Sequence, residues 1–148
     1  MTFADAKAAI RAHIATQWAA GAYADVAVLW ENESPEQVYD RFVFVSIDGV
    51  DARKTVYGAA GKRMSEETGI VFVHAFVPQG IGTSLPDALV GTMTAALELR
   101  VIPTGVNMDG ANPQSPADLG DTLTPGMQPG GNYYRVTGSV PFVVISSI

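Results

Sequence analysis

The chain has 148 residues, the size of one domain, and we expect residues 1–148 to form a single unit. Its 15 acidic residues outnumber its 9 basic ones, so it lacks the basic surplus that a nucleic-acid partner requires. Cysteine is absent, which excludes disulfides and thiol catalysis, and no apolar run approaches the roughly 20 residues of a membrane-spanning helix. These features predict a protein made in the cytoplasm without membrane attachment.

Residues 2–20, "TFADAKAAIRAHIATQWAA", predict an opening helix. Thr2 can cap its first turn, and Asp5 stands three residues later, as in a capping box. Apolar residues recur at helical spacing and form one stripe: Phe3, Ala6, Ile10, Ile14 and Trp18.

Four strands are predicted next. Residues 25–30 and 53–57 are short candidates. Residues 41–47, "RFVFVSI", are apolar on both faces, as in a central strand. Residues 70–77, "IVFVHAFV", are β-branched and aromatic, and Pro78 closes them.

A second helix is predicted over residues 85–99. Ser84 is expected to cap it, Pro86 suits its first turn, and Asp87 complements the helix dipole. Its apolar stripe consists of Leu85, Leu89, Met93, Ala96 and Leu97.

Residues 103–131 are rich in Pro, Gly, Asn and Asp and predict a long loop, either functional or disordered until bound. Two closing strands, 132–138 and 139–148, are expected to form a C-terminal hairpin, with Pro141 on a sheet edge. Since strands cluster instead of alternating with helices, the order predicts an α+β fold. We expect a mixed, mainly antiparallel sheet with two main helices packed on one face.

Gly80 and Gly82 lie between a strand and a helix, where nucleotide-binding proteins hold phosphate. No lysine follows Gly69, however, and the third glycine of a dinucleotide fingerprint is replaced by Leu85. We therefore interpret these glycines as a structural turn that uses positive φ.

No active site can be assembled from the sequence. His13 lies beside the apolar stripe of the first helix, and His74 shares a strand face with Phe72 and Phe76, which favours packing roles for both histidines. Metal-ligand spacings and nucleophile-elbow patterns are absent, and "NMDGAN" lacks the ligands of a calcium loop. The sequence predicts no catalytic residue, cofactor or metal.

The densest charge cluster holds four of the nine basic residues within fifteen positions. A strand–turn arm is predicted there, which is either a solvated hairpin or a docking surface for a neighbouring protein. The candidate interaction residues are Arg53, Lys54, Lys62, Arg63, Glu66 and Glu67.

The later segments together resemble the tail terminator proteins of long-tailed bacteriophages, the minor tail protein U-like family. The similar stretches are "TGIVFVHAFVPQGIG", a capped amphipathic helix, a Pro/Gly-rich loop and "GGNYYRVTGSVPFVV". The loop looks longer than the family's. The matching positions are Trp18, Gly69, Val73, Phe76, Pro78, Gly80, Gly82, Tyr133, Tyr134, Pro141 and Phe142.

The resemblance implies a homo-oligomeric ring, a hexamer in that family, at the head-proximal end of the virion tail. Such a ring caps the tail tube, stops its polymerisation and meets the head-completion or connector protein. A charged fraction of only 16% suits packing against other protein. The open alternatives are another phage ring protein, such as a head-completion or tail-tube subunit, and a small ligand-binding domain or enzyme.

Overall fold

The computed structural model describes residues 2–31, 33, 39–49, 55–59, 63–102, 105–119 and 133–147. Within them the chain forms an α+β domain, as predicted. The helices are α1 (Phe3–Ala19) and α2 (Ser84–Leu97). The strands are β1 (Ala27–Trp30), β2 (Phe42–Gly49), β3 (Thr55–Tyr57), β4 (Met64–Pro78), β5 (Val101–Ile102), β6 (Val106–Met108), β7 (Ser115–Leu119) and β8 (Tyr133–Ser147).

The strands form one mixed, mainly antiparallel sheet with the order β1-β2-β4-β8-β6-β5. β1 runs parallel to β2, and the other pairs are antiparallel. β3 joins β4 beside β2, and β7 joins β8 beside β6. β4 and β8 pair along their whole length, from Met64 opposite Ser147 to Pro78 opposite Tyr133. This long pair is the centre of the sheet.

The predicted capping box starts α1. The hydroxyl of Thr2 accepts from the backbone N–H of Asp5 at 3.1 Å, and the Asp5 carboxylate accepts from the backbone N–H of Thr2 at 2.9 Å. These hydrogen bonds, the backbone one first, lower the pKa of Asp5. The predicted apolar stripe faces the core, and the Trp18 indole N–H donates to the carbonyl of Val26 at 2.9 Å.

Both helices cover the same face of the sheet, as predicted. Alternate strand residues point toward them because side chains in a strand alternate between its two faces. Leu89, Val90 and Met93 of α2 are fully buried there with the stripe of α1. The strand side of this core consists of Val43, Val45, Ile47, Val71, Val73, Ala75, Val77, Ile102, Val106, Met108, Val136, Val140, Phe142 and Val144.

The start of α2 differs from the prediction by one residue. Thr83, not Ser84, is the N-cap, and its side chain makes no capping hydrogen bond. Ser84 already has helical backbone geometry, and the carbonyl of Thr83 accepts the first helical bond from Asp87 at 3.1 Å. Pro86 lies in the first turn of α2, where backbone N–H groups have no partner within the helix. The N–H that proline lacks therefore costs no helical hydrogen bond.

The predicted loop 103–131 contains two strands, and the predicted C-terminal hairpin is a single strand. β6 and β7 both lie within the loop and pair with β8, while residues 103–104 and 120–131 lie outside the described residues. Gly138 marks no turn. A Cβ at this position would lie 2.5 Å from Val90 Cγ1 and 3.2 Å from Thr94 Cγ2. The glycine is needed because α2 crosses β8 at this point.

Pro141 lies in an interior strand, not on the predicted sheet edge. Its carbonyl accepts from the backbone N–H of Asp109 at 2.9 Å, just beyond the end of β6. In an antiparallel strand the N–H and C=O of one residue point toward the same neighbouring strand. The position where Pro141 lacks an N–H therefore also faces the segment at Asp109. β6 pairs with residues 142–144 and β7 with residues 133–137. Proline is tolerated because it lies in the gap between these two short ladders.

Gly69 lies where the neighbouring strands leave no room for a side chain. A Cβ there would overlap the ring of Phe142, its partner across β4 and β8, and would lie 2.9 Å from the carbonyl of Asp48. Overpacking of this kind costs about 1–3 kcal/mol. We expect Gly69→Ala to lower the free energy of unfolding by this amount in urea titrations.

Gly110→Ala is the matched control, because no atom lies within 4 Å of a Cβ at Gly110. We expect it to change the free energy of unfolding by no more than about 0.5 kcal/mol, as at other open surface positions. Equal urea midpoints for the two variants would contradict the close packing at Gly69.

Candidate interaction surfaces

The predicted charged arm is present as a hairpin. β3 pairs with the first residues of β4, from Thr55 opposite Glu66 to Tyr57 opposite Met64. The hairpin continues the sheet beyond β2, whose last pair joins Gly49 to Gly69. Of the candidate residues, Arg63 is exposed immediately before β4, and Glu66 and Glu67 are half-buried within it. Arg53, Lys54 and Lys62 lie outside the described residues.

The two glutamates of the arm cannot contribute to one surface. Glu66 and Glu67 are consecutive in β4, opposite Ile145 and Val144 of β8, and consecutive strand residues point to opposite faces. Each therefore belongs to a different side of the arm. The sequence cluster is divided between the two faces of the sheet.

The second face of the sheet carries an aromatic cluster and, within the described residues, no helix. The rings of Phe42 and Phe76 stack with centroids 4.9 Å apart, and Tyr133 meets Phe42 edge-on at 5.6 Å. The Tyr133 hydroxyl donates to the carbonyl of Tyr39 at 2.8 Å, and its pKa is raised mainly by burial. We call this surface the helix-free face.

His74 lies in this cluster as the packed sheet residue predicted from the sequence. It is half-buried, its Nδ1 lies 2.9 Å from the Thr137 hydroxyl, and the rings of Phe44 and Phe72 flank it at 6.0 and 6.2 Å. Burial, and secondarily the charge of Arg135, lowers the pKa of His74 to about 4. The imidazole is therefore neutral at pH 7, too weak a base to match that pH.

His13 occupies the boundary role predicted for it. Its Nε2 lies 2.9 Å from the carbonyl of Ala96, so it connects α1 to α2. This contact uses one of the last carbonyls of α2, which has no partner within the helix.

The glycine-rich turn after β4 borders an open pocket of about 370 Å³. Gly80 and Gly82 have φ of 89° and 88°, which confirms the predicted use of positive φ. The other residues lining the pocket are Gln79, Thr83 and Tyr134, none of which carries a charge at pH 7. Nothing in this lining would neutralise a phosphate.

An apolar groove of about 260 Å³ lies between the second half of α1 and the edge strand β1. Two of its walls are held rigidly: Trp18 by its bond to the Val26 carbonyl, and Trp30 by the Arg11 guanidinium 4.7 Å from its ring centroid. The principal lining residues are Ala15, Trp18, Ala19, Val26, Val28 and Trp30. We call this the α1–β1 groove.

The opposite edge of the sheet exposes two large apolar side chains. Leu99 is 78% exposed and Val101 is 71% exposed, where the chain leaves α2 and enters β5. Leu99 has φ of 56°, a left-handed conformation that is costly for a leucine. The predicted helix extends to residue 99 and so continues through this corner. The prediction is wrong here because Leu99 continues the apolar spacing of α2.

No group of three or more histidine, aspartate or glutamate side chains is placed to hold a metal ion within the described ranges. In the same part of the chain, neither helix has the length and apolar character needed to cross a bilayer.

Comparison with known proteins identifies the fold alone. No protein-family model matches the chain. No curated protein matches it either. Fifteen chains of known structure do match. One of them, a protein designated only by a sequence identifier, superimposes with a TM-score of 0.65 at 13% identity, over 97% of this chain and 96% of its own. A chain of such different sequence thus adopts the same architecture over its full length.

The lowered pKa of His74 predicts a pH dependence of stability. Its folded pKa is about 4 and its unfolded value is 6.5, so the unfolded chain takes up the proton first as the pH falls. Stability is therefore complete above about pH 6.5 and is lost progressively toward pH 4, by up to about 3 kcal/mol.

His74→Gln should remove this component. We expect the variant's free energy of unfolding to vary less than the wild type's between pH 6.5 and pH 4, with assembly unchanged at pH 7. His13→Gln is the control for histidine removal, because His13 lies in the boundary between the helices. Identical pH profiles for wild type and His74→Gln would show that His74 is not held neutral by burial.

Proposed function

We propose that this protein is a tail terminator of a long-tailed bacteriophage. It is a structural virion subunit that forms a homo-oligomeric ring, caps the tail tube, ends tube polymerisation and meets the head-completion protein. The residue pattern of the later segments supports this proposal, and the α+β fold agrees with the family's. In this proposal no residue has a catalytic role.

The single observation that carries the proposal is the apolar character of the helix-free face. β2 from Phe42 to Val45 and β4 from Ile70 to Val77 are apolar on both faces apart from His74, a pattern typical of sheets that are covered on both sides. A sheet with one solvated face alternates apolar and polar residues instead. Beyond the aromatic cluster, the helix-free face continues through half-buried apolar residues: Ile70, Phe72, Pro141, Val143 and Ile145.

An apolar sheet face of this kind favours a subunit of an assembly over a free monomeric enzyme. The aromatic cluster is already buried within the subunit, so the surface open to another protein is the band of half-buried apolar residues beside it, and contiguous apolar surface marks protein contact sites. The neutral His74 adds no charge that would have to be desolvated when another protein covers the face. In a tail terminator, the tube and the head-completion protein supply such contacts.

The residues of the resemblance have positions that serve this scaffold. Gly69 makes room for Phe142, and Gly80 and Gly82 form the turn into α2. Tyr133 anchors the start of β8 through its bond to Tyr39. A similarity of scaffold positions agrees with a structural role, in which assembly surfaces carry the function.

Electron microscopy of the purified protein tests the proposal. We expect closed rings of one size, with six subunits as in the resembling family, and arrest of tube growth when the protein is added to polymerising tail-tube subunits. Long tubes formed by the protein alone would instead identify a tail-tube subunit. A protein that remains monomeric and leaves tube growth unchanged would refute the proposal.

The charged arm is proposed as a contact with the tube or with a neighbouring subunit. Lys62→Glu with Arg63→Glu should leave the subunit folded but weaken ring formation or capping. Each exposed pair contributes only about 0–1 kcal/mol, but the effect is multiplied around a ring. The neutral double variant Lys62→Gln with Arg63→Gln should have an intermediate effect. Normal tail length and full infectivity in phage with the double reversal would favour a solvated hairpin.

A further inference from the structure

The two ends of the sheet are open. β1 and β5 each have a single strand neighbour within the described residues, β2 and β6 respectively. An edge strand presents unpaired N–H and C=O groups to any chain that can pair with it. One edge lies beside the α1–β1 groove, and the other lies beside the exposed side chains of Leu99 and Val101.

We propose that the Leu99–Val101 corner of one copy docks into the α1–β1 groove of the next copy. This inference adds a specific subunit contact to the proposed ring. It rests on the proposed function only in that repetition of the contact closes into a ring. The exposed leucine supplies an apolar knob, the groove supplies a preformed apolar hole, and the open edges of β5 and β1 are brought together.

The corner is built to present Leu99. The Leu99 N–H donates to the carbonyl of Asp109 at 3.1 Å, and the Arg100 carbonyl accepts from Met108 at 2.8 Å. The Glu98 carboxylate accepts from the backbone N–H of Ala111 at 2.9 Å. These bonds hold a leucine in a left-handed conformation with its side chain in solvent. Backbone strain kept in place by its surroundings is typical of functional positions.

The groove is built to receive a side chain. α1 contributes the small residues Ala15 and Ala19 to its lining, so the space between helix and strand stays open. Trp18 and Trp30 are held in place by their contacts with the Val26 carbonyl and the Arg11 guanidinium, which favours a groove that is formed before docking. A few well-packed anchor residues carry most of the binding energy of an interface, and a preformed pocket lowers the cost of ordering on binding.

Charge favours the same pairing. Arg100 stands between Leu99 and Val101, is exposed, and forms no ion pair with another described residue. Beside the groove, the Asp25 side chain is 72% exposed and lies 3.7 Å from Arg41, a loose contact. In the docked arrangement Arg100 approaches Asp25. Charges at the rim of an interface mainly set orientation and association rate.

The occupant we infer is a second copy, because every copy carries the knob beside Arg100, unpaired within the described residues, and the hole beside the exposed Asp25, at opposite ends of one sheet. Such a contact is heterologous: one patch meets a different patch, and repetition gives a closed ring or an open filament. A two-fold dimer would instead pair each patch with itself.

Disulfide cross-linking tests the pairing, since the chain has no cysteine of its own. Ala19→Cys and Val101→Cys subunits should cross-link when mixed, and neither should cross-link with itself. Ile81→Cys, at an apolar residue 54% exposed in the turn before α2, is the control and should link to neither. Absence of the mixed cross-link, or a protein that stays monomeric at high concentration, would overturn the inference.

Two substitutions separate docking from folding. Leu99→Gly removes the knob and relieves the left-handed strain, so it should raise the unfolding temperature while weakening association at least tenfold. Ile81→Asp, at an apolar residue 54% exposed elsewhere, should leave association unchanged. Equal association of Leu99→Gly and wild type in sedimentation velocity would overturn the docking.

The outcomes distinguish the inference from the proposed function. Open filaments with the mixed cross-link would support the docking and contradict the closed terminator ring. Closed rings that cap tubes but lack the mixed cross-link would support the terminator and contradict the docking.

Discussion

The pairing of β4 with β8 is the contact on which the other elements depend. Residues 64–78 and 133–147 are distant in sequence, yet they form a continuous antiparallel ladder through the middle of the sheet. β2 and β3 attach to one side of it, β6 and β7 to the other, and both helices lie across one face. Gly69 and Gly138 lie in this ladder because the Phe142 ring and helix α2 occupy the space that side chains would need.

The elements that the sequence predicts correctly are those whose residue pattern is itself typical of a helix or a strand. The α1 stripe is predicted by its helical spacing, its capping box by two residues three positions apart, and the apolar half of β4 by its continuous β-branched and aromatic run. Three segments carry no such signal: β6, β7 and the polar half of β4. Their strand geometry comes from hydrogen bonds to a distant partner. The predictions of a turn at Gly138 and of a sheet edge at Pro141 are wrong because the local residue preference is overridden by the packing of α2 and by a gap between two ladders.

The surfaces were harder to predict than the fold. The charged residues around the hairpin form a cluster in sequence, but Glu66 and Glu67 point to opposite faces of β4. The α1–β1 groove gave no sequence signal because it depends on alanines, which in a helix indicate only high propensity. Leu99 has the spacing of a buried helix residue, and only its backbone conformation shows that it points outward.

Two local features of the structure become favourable if other protein covers them. The helix-free face carries half-buried apolar residues, and Leu99 is strained and exposed. The two features occupy different surfaces. In the proposed ring, the two sheet edges serve lateral contacts between subunits. The helix-free face and the charged arm then stay open, and we propose them as the surfaces that meet the tube and the head-completion protein.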